Sequence, residues 1–111
     1  VLDNRLAVAK PPYLSAQDRV NARAKAVAAR RVRARVSSQL AAGELTVPAV
    51  MIQARHDEAI ARMKVRDVFE SLAGVGPQKA TQLMAKFKIA EAKRIGGLGP
   101  RQRVEVIKYF S

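Results

Sequence analysis

Gly74 to Phe87 reads GVGPQKATQLMAKF, and Gly97 to Phe110 reads GLGPRQRVEVIKYF. Laid over each other at an offset of 23 residues, the two stretches share both glycines, the proline and the terminal phenylalanine. Val75 falls over Leu98, Leu83 over Val106 and Met84 over Ile107. Each copy reads as a Gly–apolar–Gly turn that runs directly into a helix with Pro at its first position. Proline suits that position because the N–H it lacks would have no helical partner. The glycines permit positive φ and let another backbone come close. Such a turn presents bare amide N–H groups at the positive end of a helix dipole, which is a site for an anion.

The anion to expect follows from the charge. The chain has 111 residues, 21 Lys and Arg against 9 Asp and Glu, and a formal net charge of +12. The excess sits in two blocks: residues 16–42 carry seven basic residues and one acidic, and residues 64–111 carry ten and four. Residues 43–63 are near neutral, with two basic and three acidic. Two basic surfaces around a neutral middle suit a nucleic-acid binder, whose ligand is phosphate. The length suits one domain with an adequate core. There is no Cys and no Trp, so disulfide, thiolate and zinc-knuckle chemistry are excluded. No apolar run approaches the ~20 residues of a membrane span. No signal peptide is visible, and the chain opens on Val1, as a partial N-terminus would.

Outward from the repeat, the pattern is helical throughout. Residues 1–14 hold Pro11 and Pro12 and show no period, so they read as a flexible or extended arm. Ser15, with Asp18 three residues on, opens a helix in the manner of a capping box. That helix should end near Ala42 with Gly43 just beyond. Along it, Arg19, Arg23, Arg30 and Arg33 fall within about 80° of one another at 100° per residue and form a basic stripe. Val32, Val36 and Leu40 form an apolar strip in its second half, so that half should pack while the first half projects. Thr46 should cap a short helix with Val47, Val50, Met51 and Ala54 inward, and Asp57 another short turn. Val65, Val68, Phe69 and Leu72 recur at helical spacing and should be core. In the first repeat helix Ala80, Leu83, Met84 and Phe87 should face inward. In the second, Val104, Ile107 and Phe110 should. Ala90 to about Ile95 fits one helical turn carrying Lys93 and Arg94. The expected division is an arm at 1–14, a long basic helix at 15–43 and a core at 44–111.

The candidate contacts to a nucleic-acid backbone follow. The first turn offers Gly74, Val75, Gly76, Pro77, Gln78 and Lys79. The second offers Gly97, Leu98, Gly99, Arg101, Gln102 and Arg103, preceded by Lys93 and Arg94. The long helix offers Arg19, Arg23, Arg30, Arg31 and Arg33. A lone Gly–x–Gly is a common helix connection; two copies, each opening a helix with basic residues in its first turn, outweigh that reading. A charge run is usually a solvated face, but only Asp18 interrupts the seven bases of the long helix. Catalysis finds no paired carboxylates, Ser–His–Asp set or metal cluster, and no Gly–Lys–Ser/Thr loop. His56 stands alone and reads as a surface residue. Lys79 as a nucleophile would lack acidic partners. No enzyme and no cofactor is expected.

The stretch MKVRDVFESLAGVGPQKATQLMAKFKIAEAKRIGGLGPRQRVEVIKYF, Met63 to Phe110, resembles the actinobacterial integration host factor family. The marks are MKV at Met63–Val65, the turn at Val75–Gly76, Lys79–Ala80, Lys93–Arg94 and GLG–RQR at Gly97–Arg103. The resemblance implies an all-α, helix–two-turns–helix fold with a long N-terminal helix. It implies a nucleoid-associated, cytoplasmic protein that binds double-stranded DNA with little sequence preference, bends or compacts it, and assists site-specific recombination. The β-armed heterodimeric host factor of other bacteria shares only the name. Members often carry an Arg where this chain has Gly96, which weakens the side-chain part of the second site and leaves Arg101 and Arg103 to compensate. Recombination or topology enzymes are the expected protein partners, and a monomer the expected state in solution. Two rivals stand beside this reading: structured RNA, since a small-subunit ribosomal protein has a related unit, and a helical adaptor for an acidic protein.

Overall fold

The structure, a computed structural model, describes residues 15–111. The arm expected over 1–14 lies outside the described residues. In chain order the elements are α1 (Ala16–Ala41), α2 (Val47–Gln53), α3 (Glu58–Ala61), α4 (Val65–Ser71), α5 (Pro77–Lys86), a 3₁₀ turn (Ile95–Gly97) and α6 (Pro100–Tyr109). Extended pairing among the described residues is confined to one isolated antiparallel bridge, Lys64 to Arg94.

The helix ends follow from the capping chemistry. Ser15 Oγ accepts from Asp18 N–H at 3.0 Å and opens α1. Thr46 and Asp57 do the same for α2 and α3, through Ala49 N–H at 3.2 Å and Ala59 N–H at 2.9 Å. α1 closes on Gly43, at φ +77°, with Glu44 N–H donating to Gln39 O and Gly43 N–H to Leu40 O. This is the doubled bond of a Schellman ending. α5 ends in the same motif: Ile89 N–H donates to Met84 O and Lys88 N–H to Ala85 O. There the left-handed position, φ +56°, is held by Lys88 and not by glycine.

The second half of α1 packs and the first half projects. Val36 and Leu40 are buried, while residues 15–26 are exposed throughout. The core therefore runs across Gly43 into α1. The molecule measures 61 × 27 × 25 Å with a radius of gyration of 18.5 Å, well above the ~13 Å of a compact 100-residue domain. The excess length comes from α1, whose 26 residues span about 39 Å at 1.5 Å per residue.

At the centre lies Phe69, fully buried. Its ring meets Phe87 at 6.2 Å and Phe110 at 5.7 Å between centroids. The terminal phenylalanines of both repeat copies thus close on one ring. Tyr109 extends the cluster, edge-on to Phe87 at 5.5 Å, with Lys86 Nζ 5.6 Å over its face.

α5 buries Ala80, Leu83 and Met84, with Phe87 just beyond its end, as their spacing predicts. α6 is rotated from its expected setting. Val104 is 54% exposed and Ile107 41%, while Val106 is 1% exposed. The 23-residue offset puts Val106 over the buried Leu83, in line with this face, but it also puts the exposed Ile107 over the buried Met84. The cause is at the helix ends. Gln102, Val106 and Phe110 lie on one face at i, i+4, i+8; Gln102 is bonded to the Lys88 carbonyl and Phe110 rests on Phe69. Val106→Ala should accordingly lower stability by about 2–3 kcal/mol, two methyl groups plus the cavity. Val104→Ala should change it by less than about 0.5 kcal/mol. Urea midpoints of the two variants measure the difference; equal midpoints would restore the expected rotation.

Candidate nucleic-acid interface

The two glycine turns share a sequence but not a conformation. In the first, Gly74 adopts φ +80°, a setting that costs any residue with a Cβ. Val75 N–H donates to Leu72 O at 3.1 Å, and its side chain rests against the core. Gly76 is the N-cap of α5, at φ −88° and with no side-chain cap, and Pro77 is the first helical residue. Among the described residues no acceptor meets the N–H of Gly76, Gln78 or Lys79. Gly74, Gly76, Pro77, Gln78 and Lys79 are all exposed. This is an open helix start with a lysine in its first turn.

The second turn is satisfied internally. Ile95 to Gly97 form a 3₁₀ turn, Gly97 N–H donates to Arg94 O and Leu98 N–H to Ile95 O. Gln102 Oε1 accepts from Gly99 N–H at 2.9 Å, while its amide donates to Lys88 O at 2.8 Å. Arg103 Nε donates to Leu98 O at 3.1 Å. The expectation of bare glycine amides and positive φ fails at this turn. Leu98 is a buried core residue, so its side chain is not a surface contact. Gln102 is tied up as a brace, and Arg103 partly so. Arg101 is exposed, and with Gln102 it keeps its first-turn N–H without an acceptor among the described residues.

Lys93 and Arg94 do not ride on a helix. They lie in an extended segment, with Val65 N–H donating to Lys93 O at 3.0 Å and Ile95 N–H to Met63 O at 2.8 Å. Bonding to the 63–65 segment competes successfully with a helical turn that Gly96 and Gly97 would cut short. The Lys93 stem passes over Gly97, 3.5 Å from the place of an added Cβ. Arg94 is exposed and donates through Nη1 to the Arg62 carbonyl. On α1, Arg19, Arg23, Arg30 and Arg31 are exposed and Arg33 is half-buried. His56 is exposed.

Reasoning from the sequence missed three basic residues. Arg62 and Lys64 flank Met63 beside Arg94 and Arg33, where they line one cleft with Asp67. Arg66 is structural. Its Nε and Nη2 clasp Glu91 at 2.6 and 2.7 Å, Nη1 reaches Glu70 at 2.9 Å, and Nη2 also reaches Thr81 Oγ1 at 2.7 Å. One guanidinium thus ties α4 to α5 and to the loop before the second turn. A partner 25 residues away leaves no periodic signal; only the Glu70 spacing was visible.

The Arg66 hydrogen bonds hold the Glu91 carboxyl below its usual range, against a smaller opposing effect of desolvation, with further pull from the charges of Arg66 and Lys64. Glu91 and Glu70 raise the Arg66 guanidinium in turn.

Among the described residues no group of three or more His, Cys, Asp or Glu could hold a metal ion. No helix among them is long and apolar enough to cross a membrane.

The sequence matches the S13-like H2TH domain family over residues 40–110, so the paired turns belong to a helix–two-turns–helix protein. Over 99 residues the chain is 38% identical to the integration host factor of Mycolicibacterium smegmatis, a match covering 89% of this chain and 94% of that protein. The integration host factor of Mycobacterium tuberculosis matches to the same extent, and that of Streptomyces coelicolor is 38% identical with 92% of its length covered. The solved structure of sIHF bound to an 8bp palindromic DNA aligns with a TM-score of 0.75 at 38% identity, covering 78% of this chain and 98% of that one. The chain belongs to the actinobacterial integration host factor family.

Two predictions concern how the site is held. Because the Glu91 carboxyl is lowered in the folded state, the pair's stabilisation is complete above the ordinary carboxylate range and is lost as pH falls through the lowered value. Melting temperature should therefore drop on acidification below about pH 4, and less steeply in Glu91→Gln; parallel curves for the two proteins would remove this linkage. At Gly96, an added Cβ would stand 3.0 Å from Ala61 Cβ and 3.2 Å from the Ala61 carbonyl oxygen. Gly96→Ala should cost about 1–3 kcal/mol as an overpacked contact, and Ala61→Gly in the same chain should recover part of it. Thermal melts of the three variants measure this, and a neutral Gly96→Ala would show that the contact yields freely.

Proposed function

We propose that this protein binds duplex DNA through backbone phosphates with little sequence preference, bends or compacts it in the cytoplasmic nucleoid, and assists site-specific recombination. The observation that carries the reading is the open start of α5. Gly76, Gln78 and Lys79 turn N–H groups and an ammonium outward with no acceptor of their own among the described residues. Arg101 stands likewise at the start of α6, and arginines line α1. The sIHF relative, 38% identical over 98% of its chain, is bound to DNA in its solved structure, which favours duplex DNA over structured RNA or an acidic protein. The role is binding and not catalysis, with the protein acting as a monomer alongside recombination or topology enzymes.

Main-chain amides and cations meet phosphates and do not read bases, so binding is electrostatic and shallow in specificity. With six to ten phosphates engaged, affinity for a labelled duplex should fall ~10³–10⁵-fold between ~50 and ~200 mM salt. Gly76→Val sharpens the test. A Cβ there would meet nothing within 4 Å, so the variant keeps the fold but blocks the phosphate. Losing one charge-assisted hydrogen bond, about 1.5–3 kcal/mol, should weaken binding roughly tenfold or more for every duplex alike. Anisotropy titrations with competing duplex RNA provide the readout. A flat salt response, or RNA displacing DNA at matched salt, would overturn the reading.

A further inference from the structure

The Lys64–Arg94 bridge places two cations directly opposite each other. Its hydrogen bonds join Val65 to Lys93 and Ile95 to Met63, which makes Lys64 and Arg94 a non-hydrogen-bonded pair. In that geometry the side chains stand closest, with Cα atoms about 4.5 Å apart. Like charges so placed destabilise each other. Arg62 and Arg33 line the same cleft, of about 510 Å³, with Met63 and a single carboxylate, Asp67. Two further acids lie nearby. Glu58 pairs with Arg62 at 2.9 Å where both side chains are exposed, a contact of little strength. Glu91 pulls on Lys64 only from its clasp on Arg66. The Arg94 guanidinium is held in place by its bond to the Arg62 carbonyl. The backbone thus concentrates four cations against one cleft carboxylate and one exposed ion pair.

We propose that Arg33, Arg62, Lys64 and Arg94 form a third phosphate-binding site, which carries the backbone of a bound duplex from the second glycine turn onto α1. The inference rests on the DNA-binding reading and extends it to Arg62 and Lys64, which neither the repeat nor the α1 stripe includes. The cleft joins the two basic surfaces: Arg94 immediately precedes the 3₁₀ turn and Arg33 belongs to α1. DNA leaving the turn therefore meets continuous positive charge.

The test is a salt titration of duplex affinity for the full chain, for Arg62→Gln/Lys64→Gln, and for Arg55→Gln/Lys108→Gln. The last pair loses the same charge outside the cleft. Arg55, Arg62, Lys64 and Lys108 are all exposed, so the folds are retained, and melts verify it. The cleft variant should lose about 1.8 from the log–log salt slope, at roughly 0.9 per phosphate, and bind at least tenfold more weakly at ~100 mM salt, within one ionic regime of the full chain. The control should lose much less. Asp67→Asn should tighten binding several-fold by removing the opposing carboxylate. A cleft variant with the full chain's slope and affinity, or one matched by the control, would overturn the site while leaving DNA binding intact. Failure of the unaltered chain to bind duplex would sink the DNA-binding reading itself.

Discussion

The arrangement depends on Phe69. A ring with no exposed surface receives one phenylalanine from the end of each repeat helix. Burying a phenylalanine side chain is worth about 1.5–3 kcal/mol, and each aromatic pair adds about 0.5–1.5 kcal/mol. The geometric consequence matters more than the energy. α5 and α6 each have ten residues, about 15 Å of rigid rod, and their C-terminal ends meet at the same ring. Each glycine turn therefore sits one helix length from a common anchor. On the proposed reading a duplex backbone is a rigid ligand, so contacts from both helix starts would need a fixed separation, and a shared aromatic hub supplies one.

The outer rings of the hub were legible as inward-facing, since Phe87 and Phe110 coincide at a 23-residue offset; their meeting on Phe69 was not, because nothing local joins three rings so far apart in sequence. Helix type, the caps at Ser15, Thr46 and Asp57, and the α5 stripe were legible, since each is settled within four residues of chain. The turns themselves were not. The first keeps Gly74 at positive φ and the Gly76 N–H open; the second winds into a 3₁₀ turn and is capped by Gln102. The difference lies in what precedes each copy. α4 feeds directly into the first turn, whereas the second follows a segment pinned against residues 63–65. Such pairing joins residues some 30 positions apart and has no local signature, so a sequence repeat places the helices and leaves the turns, and the rotation of α6, to their surroundings.

Arg66 makes the same point for charge. Composition marks it as one basic residue among 21, yet it is the one whose guanidinium is filled by Glu91, Glu70 and Thr81. Arg62 and Lys64 went unnoticed for the opposite reason. Lys64 falls inside the MKV mark and Arg62 just before it, but neither shows a role in sequence until the 94 segment folds back beside it. Conversely, Gln102 and Leu98 carry family marks but serve the turn's own integrity. Membership in a motif does not separate a residue that touches a ligand from one that shapes the loop presenting it.

Among the described residues Glu58 pairs with Arg62, and Glu70 and Glu91 both pair with Arg66. Arg23, Arg30, Arg31, Arg33, Lys93, Arg94, Arg101 and Arg103 form none. A folding optimum would distribute the carboxylates, because a net charge of +12 opposes the compact state through self-repulsion. Here the acids are concentrated on the arginine that locks α4 to α5, and the surfaces on either side are left repulsive. An anion approaching those surfaces relieves that repulsion as it binds. A charge distribution that is poor for the isolated protein is therefore favourable for a complex with a polyanion, and the strain is placed where the backbone is already held firm.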